Sequence, residues 1–339
     1  MDIVTQGLLG GVLAQTVATK DEKRLATLAG VAAGLLADAD ILIRSANDPL
    51  LNIEYHRHFT HSLIFVPIGA FIAMCLLWPF MRQHVSWRRL YVFCLAGFSM
   101  SGVLDACTSY GTHLLWPFMD DRIAWNLVAI IDPVFSLILL VALISGLLIR
   151  KRSLAAGGLV LSVLYLGLGF VQLQRAQAVT EQLASERGHA IERQIVKPTL
   201  GNNILWRSIY IHDNRIYVDA IRVSLLGDVN IFEGENVERL STSREFPRLD
   251  KSSVLYADIQ RFKKFSAGYV AYDPTQENVI GDMRYGILPT TTKPLWGIVY
   301  DSNKPWQHAD YRFFRSNTRE VRQRFFNMLF HACATAECS

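Results

Sequence analysis

The first half of the chain alternates long apolar runs with short polar connections, and this pattern changes after residue 173. A helix needs roughly 20 apolar residues to cross the hydrocarbon core of a bilayer. Five segments are long enough, although the third is less apolar than the others: 25–43, 62–81, 89–107, 127–149 and 154–173. The opening segment 3–19 is short and contains Gly, Gln and Thr, so we expect it to be re-entrant or partly inserted. The pattern predicts an all-α polytopic membrane domain of about five to six helices over residues 1–173.

The second half of the chain has the pattern of a soluble domain. Residues 174–197 are polar and predict a linker helix that leaves the membrane. Runs rich in β-branched and aromatic residues predict strands at 203–212, 215–224, 278–288 and 295–300. Apolar residues at helical spacing predict helices at 252–265 and 317–332. Residues 198–339 are therefore predicted to form a small α+β domain.

The connections between the apolar segments differ in charge. Those at 20–24, 82–89 and 150–152 are rich in Lys and Arg, whereas 44–61 and 108–126 contain few basic residues for their length. Basic connections stay in the cytoplasm as a rule, and five spans from residue 25 onward place all three on one side. We therefore expect a bacterial inner-membrane protein whose C-terminal domain lies in the periplasm.

The overall composition agrees with a membrane protein. Hydrophobic residues make up 51% of the chain and charged residues 19%, where a soluble domain has about 25% charged residues. The formal net charge of +4 is too small to indicate nucleic-acid binding.

Ionisable residues gather where the apolar segments meet the predicted outer face. Charges within a membrane span are costly and usually serve a function. Seven such groups are predicted at this one depth: Asp38, Asp40, His56, His58, His61, Asp105 and Asp132. Carboxylates and imidazoles together are the ligands of Zn²⁺, Mn²⁺ or Fe, and bound metal would offset the repulsion among the carboxylates.

Simpler interpretations of these residues stay open at this point. A single aspartate at the end of a span is most often a helix cap or an interfacial group. Arg57, between His56 and His58, would clamp an anionic substrate group or would contact lipid headgroups instead. His113 is an uncertain further candidate, because single loop histidines are usually only solvated. The number of clustered groups nevertheless favours a metal site, most simply one that binds Zn²⁺.

Several motifs together resemble a known family. The segments DIVTQGLLG, ADADILI, YHRHFTHSLIF, GVLDACTSYGTHLLWPF and IIDPVFSLILL look like those of the membrane-bound metal-dependent hydrolases of bacterial inner membranes. The resemblance is close over residues 1–145 and looser over 198–210. This family is distantly similar to zinc-dependent phospholipase C and its related zinc nucleases, which are all-helical phosphoesterases. The resemblance implies hydrolysis of a phosphoester by metal-activated water.

The resemblance also implies a set of metal ligands and shows two departures from it. The implied ligands are Asp38, Asp40, His56, His61 and Asp105. Ser101 stands where the family usually has a His one helical turn before the aspartate, and Gln6 stands where many relatives have His. The loss of an imidazole at Ser101 implies a weaker site, a smaller number of metal ions, or a member without catalytic activity.

The leading hypothesis is thus a metal-dependent hydrolase that acts on an ester or phosphoester at the periplasmic face. His58 or Arg57 would assist the substrate or the leaving group, and a site at headgroup depth favours a membrane lipid or a lipid-linked substrate. The alternative is a catalytically degenerate, membrane-anchored binding or scaffold protein, which Ser101 favours. A transporter is the weakest hypothesis, because the charges lie at one face and no paired broken-helix repeat is visible.

Overall fold

The computed structural model describes residues 1–225, 227–314 and 318–330, and the chain separates into two compact units. The first unit, here called the membrane unit, contains Met1–Ile43, Tyr55–Val171 and Leu200–Asn202. The second, here called the C-terminal unit, contains Arg44–Glu54, Gln172–Thr199 and Asn203–Ser339. The chain therefore leaves the membrane unit and returns to it between Ile43 and Tyr55.

The first half of the chain is helical, as predicted. Its helices are α1 (Ile3–Val17), α2 (Lys23–Leu36), α3 (Leu51–Tyr55), α4 (Val66–Met81), α5 (Trp87–Phe98), α6 (Ser101–Ala106), α7 (Pro133–Ile149) and α8 (Arg152–Glu186). Short 3₁₀ turns extend this set at Ala37–Leu42, Phe59–His61 and Leu63–Phe65. Within the described residues, four helical segments are long and apolar enough to cross a membrane: Lys23–Leu42, Leu63–Met81, Trp87–Ala106 and Arg152–Glu186. Helices α1 and α7 are apolar but shorter.

Large apolar side chains on the outer helices of the membrane unit are exposed. Phe71 of α4 is 54% exposed, Val141 of α7 is 59% exposed and Val163 of α8 is 66% exposed. Such continuous apolar surface is unfavourable in water, whereas it is the expected surface of helices that face hydrocarbon. Helix composition and surface together make the first half a membrane-embedded unit.

Helix α1 is enclosed by other helices of the membrane unit. Its residues Gly7, Leu9, Val12 and Ala14 are all buried, and α1, α2 and α5 approach closely at Gly10, Gly30 and Gly97. A Cβ atom on Gly97 would lie 2.5 Å from the Gly30 carbonyl oxygen, so only glycine permits this approach. The Gly, Gln and Thr content that made segment 3–19 look poorly inserted is therefore that of a helix packed against protein.

The basic connections meet at one end of the membrane unit. The Arg89 guanidinium lies 2.6 Å from the Glu22 carboxylate and also donates to the Val17 carbonyl. The Arg152 Nε donates to the Ala18 carbonyl at 2.6 Å. The N-termini of α2, α5 and α8 therefore lie together with the C-terminus of α1, on the side where the loop charges predicted the cytoplasm.

Two predicted helices have different bounds in the structure. Segment 127–149 becomes helical only at Pro133, because Asp132 caps α7 by accepting hydrogen bonds from the Val134 and Phe135 amides, both at 3.0 Å. The span 154–173 and the polar helix expected over 174–197 form one continuous helix that ends at Glu186. Gly188, with a φ of +71°, ends it, and Arg193–Pro198 is a strand instead.

In the C-terminal unit, the described residues form two antiparallel sheets. Its strands are β1 (Arg193–Pro198), β2 (Leu205–His212), β3 (Arg215–Val223), β4 (Val229–Phe232), β5 (Asn236–Glu238), β6 (Val270–Tyr272), β7 (Val279–Asp282), β8 (Trp296–Val299) and β9 (Asp310–Phe313). The first sheet has the order β1-β2-β3-β4 with β5 also paired to β3, and the second has the order β6-β7-β8-β9. The helices are α9 (Thr242–Glu245), α10 (Val254–Phe265) and α11 (Arg319–Phe330).

The elements predicted for this unit are largely confirmed. The turn between β2 and β3 is Asp213–Asn214, both with positive φ, as a two-residue hairpin requires. Ser253 caps α10 through its hydroxyl. The last helix was predicted at 317–332, and its described part, α11, ends at Phe330.

One arginine joins the segment Arg44–Glu54 to the rest of the C-terminal unit. The Arg261 guanidinium lies 2.9 Å from Asp48, 2.7 Å from Glu54 and 3.0 Å from Asp258. Leu50 and Ile53 from the same segment are buried in the apolar core around α10. Burial raises the pKa of the Asp48 carboxyl, whereas the hydrogen bond and charge of Arg261 lower it, and the net result is a lowered pKa.

Candidate metal centre

Three helical segments of the membrane unit bring carboxylates and imidazoles together. Asp38 and Asp40 lie in the 3₁₀ turn that continues α2, and Asp105 lies in the last turn of α6. His61 ends the 3₁₀ turn Phe59–His61, directly before α4. Asp105 is 0% exposed, His61 is 1% and Asp40 is 2%. The predicted convergence of these segments is therefore what the fold produces.

The most buried part of this cluster is a triad of Asp38, His61 and Asp105. His61 Nε2 lies 3.3 Å from Asp38 Oδ1 and 3.1 Å from Asp105 Oδ2. All three atoms are buried, and none forms a hydrogen bond of acceptable geometry with a described residue. Buried polar atoms are nearly always satisfied in native proteins. Their spacing and lack of hydrogen bonds are what a cation-binding set of ligands would show.

A second triad shares Asp38 with the first. Its members are Asp38, Asp40 and His56, whose ligand atoms all lie within 4.8 Å of one another. His56 Nδ1 lies 2.9 Å from Asp40 Oδ1, so its other nitrogen is available to a ligand. Together the two triads contain all five residues that the resemblance implied as ligands. Asp38 belongs to both triads.

Asp40 has the most complete hydrogen bonding in the cluster. Its Oδ2 accepts from the Arg57 amide at 2.8 Å and from the Thr60 hydroxyl at 2.6 Å. The same oxygen lies 3.3 Å from His61 Nδ1. Carboxylates of this kind fix the tautomer and orientation of histidine ligands. Asp40 thus orients both His56 and His61.

The electrostatics of the cluster are dominated by its carboxylates. Burial alone would lower the pKa of His61, but the nearby carboxylates of Asp105, Asp38 and Asp40 outweigh it and raise that pKa to about 10. The site therefore attracts positive charge strongly, whether that charge is a proton or a metal ion.

Arg57 lies inside this site. It is 5% exposed, and its Nε lies 3.1 Å from Asp105 Oδ2. Its Nη2 donates to the Met1 carbonyl at 2.7 Å, and the Met1 amino group contacts Asp105 as well. Its guanidinium lies 5.0 Å from the centre of the Tyr110 ring. The structure therefore places Arg57 as a counter-charge to Asp105.

His58 belongs to a different group of side chains. Its Nε2 lies 3.7 Å from Asp120 Oδ1, and its ring lies 4.3 Å from the ring of His113. Burial lowers the pKa of His58. The two residues predicted as catalytic, Arg57 and His58, are thus adjacent in sequence but contact different groups.

Asp132, Ser101 and Gln6 complete the set that the sequence singled out. Asp132 caps α7 and accepts from the Tyr165 hydroxyl at 2.9 Å, so the simpler reading as a helix cap applies to it. Ser101 and Gln6 are both buried, and the Gln6 amide donates to the Ser101 carbonyl at 3.4 Å.

Sequence reasoning missed two polar residues that contact the site. Thr60 donates to Asp40 and lies 3.0 Å from His61 Nδ1. Arg122 donates to the His56 carbonyl at 2.7 Å and lies 5.0 Å from the Tyr110 ring. The position of Thr60 directly before His61 was the available signal for the first, whereas nothing in the sequence near Arg122 indicated the second.

Fold and site define an integral membrane protein with a buried carboxylate–histidine cluster at the end of its helical unit opposite the basic connections. A family model described as YdjM inner membrane protein matches residues 1–176, slightly more than half of the chain. The chain belongs to this family, which confirms the inner-membrane part of the resemblance. The matched region contains both triads. No curated protein and no solved structure shows significant similarity to the chain.

Proposed function

We propose that this protein is a metal-dependent hydrolase that cleaves an ester or phosphoester at the periplasmic face of the inner membrane. The observation that carries the proposal is the triad Asp38, His61 and Asp105, whose facing ligand atoms are buried, 3.1–3.3 Å from His61 Nε2, and without hydrogen bonds. Two carboxylates and one imidazole form a ligand set that Zn²⁺ accepts.

Each of the two triads would hold one metal ion. Asp38, His61 and Asp105 would hold one ion, and Asp38, Asp40 and His56 would hold a second. A divalent ion supplies Lewis-acid activation of water and of the ester or phosphoryl oxygen. Asp40 and Thr60 keep His61 oriented so that Nε2 faces Asp38 and Asp105. Arg57 keeps Asp105 in place and balances its charge.

The surroundings of the cluster favour an anionic substrate at membrane depth. Arg122 is only partly buried and lies beside His56, where its charge would attract a phosphoryl group. Asp38 and Asp105 are each near the end of a membrane-crossing segment. These features support a lipid or lipid-linked substrate, and Arg57 and His58 remain the proposed assistants of substrate and leaving group.

The alternative is a membrane-anchored binding or scaffold protein without catalysis. The contact of Asp105 with Arg57 favours it, because the guanidinium already neutralises one ligand of the buried triad. Ser101, in place of an imidazole, points the same way. The two proposals differ in whether metal binds and whether bound metal supports turnover.

Metal analysis of the full chain purified in detergent distinguishes them. We expect stoichiometric Zn²⁺ in the wild type, its loss in His61→Ala, and metal-dependent cleavage of an aryl phosphodiester by the wild type alone. Ser101→His should raise metal content or activity if an imidazole is what the site lacks. The exposed His84 lies in a basic connection, so His84→Ala is the matched control and should retain its metal.

The outcomes separate clearly. Bound metal without turnover on ester or phosphodiester probes favours the scaffold. No bound metal under metal-replete conditions overturns the hydrolase and also favours the scaffold. Orientation is tested separately with a phosphatase fused after residue 200. The fusion should be active in the periplasm, and an inactive fusion would contradict the proposed face.

A further inference from the structure

A second histidine-containing cluster lies outside the two triads of the candidate metal centre. His58, His113 and Asp120 each offer one ligand atom, and these atoms all lie within 4.8 Å of one another. Asp120 Oδ1 is 3.7 Å from both His58 Nε2 and His113 Nδ1. None of the three residues belongs to the ligand set that the family resemblance implied.

The separations between the carboxylate and the two imidazoles are close to those in a tetrahedral zinc site. Zn–N and Zn–O bonds of about 2.0–2.1 Å place neighbouring tetrahedral ligands about 3.4 Å apart. The two carboxylate–imidazole separations of 3.7 Å exceed this value by only a few tenths of an ångström. A small rotation of the Asp120 side chain, which is 60% exposed, would bring its Oδ1 closer to both imidazole nitrogens.

The backbone holds both histidines in place. The His113 amide donates to the Arg57 carbonyl at 3.1 Å, which joins the loop that carries His113 to the residue before His58. Thr112 and Ile123 exchange backbone hydrogen bonds of 3.1 Å and 2.8 Å, so the segments on either side of Asp120 are paired. The fold therefore fixes the backbone positions of the residues that carry this cluster.

The chemical setting also suits a metal. The rings of Tyr55 and Trp116 lie 5.5 Å and 5.8 Å from that of His58 and give the cluster an apolar wall on that side. His58 Nδ1 is buried without a hydrogen bond to a described residue, so His58 contributes to no alternative hydrogen-bonded network through that atom. Two imidazoles and one carboxylate leave a fourth tetrahedral position open.

From these observations we infer that His58, His113 and Asp120 form a Zn²⁺ site separate from the buried triads. The site goes beyond the proposed hydrolase centre. It shares His58, the proposed assistant of the leaving group, but it uses no residue of either triad and takes one ligand from an exposed position. An ion there would have an open coordination position for water or for an anionic group of a ligand.

The test measures metal content in variants that separate the two sites. Full-length protein in detergent is loaded with Zn²⁺, passed through a chelating column and analysed by mass spectrometry. Asp120→Asn and His113→Gln should each lose one equivalent per chain relative to wild type, and His61→Ala with His113→Gln should lose more than His61→Ala alone. Because Asp120 is exposed, its substitution leaves the fold intact, and the neighbouring exposed Asp121→Asn is the control.

A spectroscopic readout makes the assignment independent of hydrolase activity. Co²⁺ bound by this set should give visible d–d absorption of tetrahedral intensity in His61→Ala, where the buried triad is disrupted. That absorption should disappear when Asp120→Asn or His113→Gln is added. Unchanged metal content and spectrum in both double variants would overturn the proposed site, even if the hydrolase centre is real. Unchanged metal content in His61→Ala, together with this signal, would contradict the hydrolase proposal alone.

Discussion

Replacing Asp40 with asparagine tests the division of roles in the candidate metal centre. The Oδ2 side of Asp40 faces two donors, the Arg57 amide at 2.8 Å and the Thr60 hydroxyl at 2.6 Å. The amide oxygen of an asparagine must take that side, because its NH₂ group would meet those donors unfavourably. The NH₂ group would then face His56 Nδ1, which now lies 2.9 Å from Oδ1.

This exchange of an acceptor for a donor changes the tautomer of His56. His56 Nδ1 would have to accept a hydrogen bond, so its proton would move to Nε2, the nitrogen that would bind metal. The His61 Nδ1 proton would also lose the charge of the carboxylate 3.3 Å away. Loss of such an orienting carboxylate typically costs 10–100-fold in metal affinity, which is about 1.4–2.7 kcal/mol.

The assay is competition for Zn²⁺ between the detergent-purified protein and a chelating fluorescent indicator. We expect the Zn²⁺ affinity of Asp40→Asn to be about 10–100-fold lower than that of the wild type. The Zn²⁺ affinity of Asp121→Asn, at an exposed position, should match that of the wild type. Thermal unfolding of the metal-free proteins checks that the fold is retained. An Asp40→Asn affinity within about twofold of wild type, with the fold intact, would refute the orienting role and the predicted histidine tautomers.

Two further predictions concern stability. Gly30→Ala should destabilise the membrane unit by about 1–3 kcal/mol, because the new Cβ would lie 2.5 Å from the Ala14 Cβ and even closer to the Gly10 carbonyl; thermal unfolding in detergent measures this, and Gly157→Ala, whose Cβ meets nothing within 4 Å, should not destabilise. Arg261→Ala should expose the Asp48–Glu54 segment to faster hydrogen–deuterium exchange at a cost of about 1–3 kcal/mol, whereas Arg312→Ala, from an exposed ion pair, should leave that exchange unchanged. Because Arg261 lowers the pKa of Asp48, this stabilisation should be present above the unfolded Asp value of about 4 and be lost as pH falls through the lowered folded value. Equal pH dependence in the wild type and in Arg261→Ala would contradict that origin.

The membrane unit illustrates what hydropathy can and cannot predict. Spans that face lipid are apolar on all sides, so segments such as 62–81 were found with nearly correct bounds. Helix α1 is surrounded by protein, and it needs small residues where it crosses its neighbouring helices. These small residues shorten the apolar run that a hydropathy search would detect. The role of α1 therefore follows from packing, which a window of hydropathy does not measure.

The position of the candidate site was predicted better from the convergence of several segments at one depth than from any single residue. The Asp38–Asp40, His61 and Asp105 segments were expected at one depth because each ends or precedes an apolar run. Asp132 met the same criterion, yet it caps α7, and no depth argument distinguishes a ligand from a cap. His113 is held near His58 by a hydrogen bond from the His113 amide to the Arg57 carbonyl. These two residues are 56 positions apart in the sequence, so their spacing does not predict the contact.

Strand prediction failed where strands are short or exposed. The hairpin β2–β3 has long runs of β-branched and aromatic residues and was found, including its turn. Strand β1 was predicted as part of the preceding helix, because residues 174–197 are predominantly polar. The helix in fact ends before Gly188, whose φ is positive. Strands β4, β5 and β9 consist largely of exposed or half-buried residues, so they carry little of the alternation on which a prediction depends.

The distance between His61 and Asp105 depends on a residue that has no polar side chain. Gly102, one turn before Asp105, has its Cα directly against the His61 carbonyl oxygen, and any Cβ there would overlap that oxygen. A larger residue would separate α6 from the turn Phe59–His61 and would open the 3.1 Å spacing between His61 Nε2 and Asp105 Oδ2. The residue before it, Ser101, lies within the same contact region and is itself buried. Backbone contact at Gly102, and not the side chain at position 101, therefore sets the approach of α6 to the turn Phe59–His61.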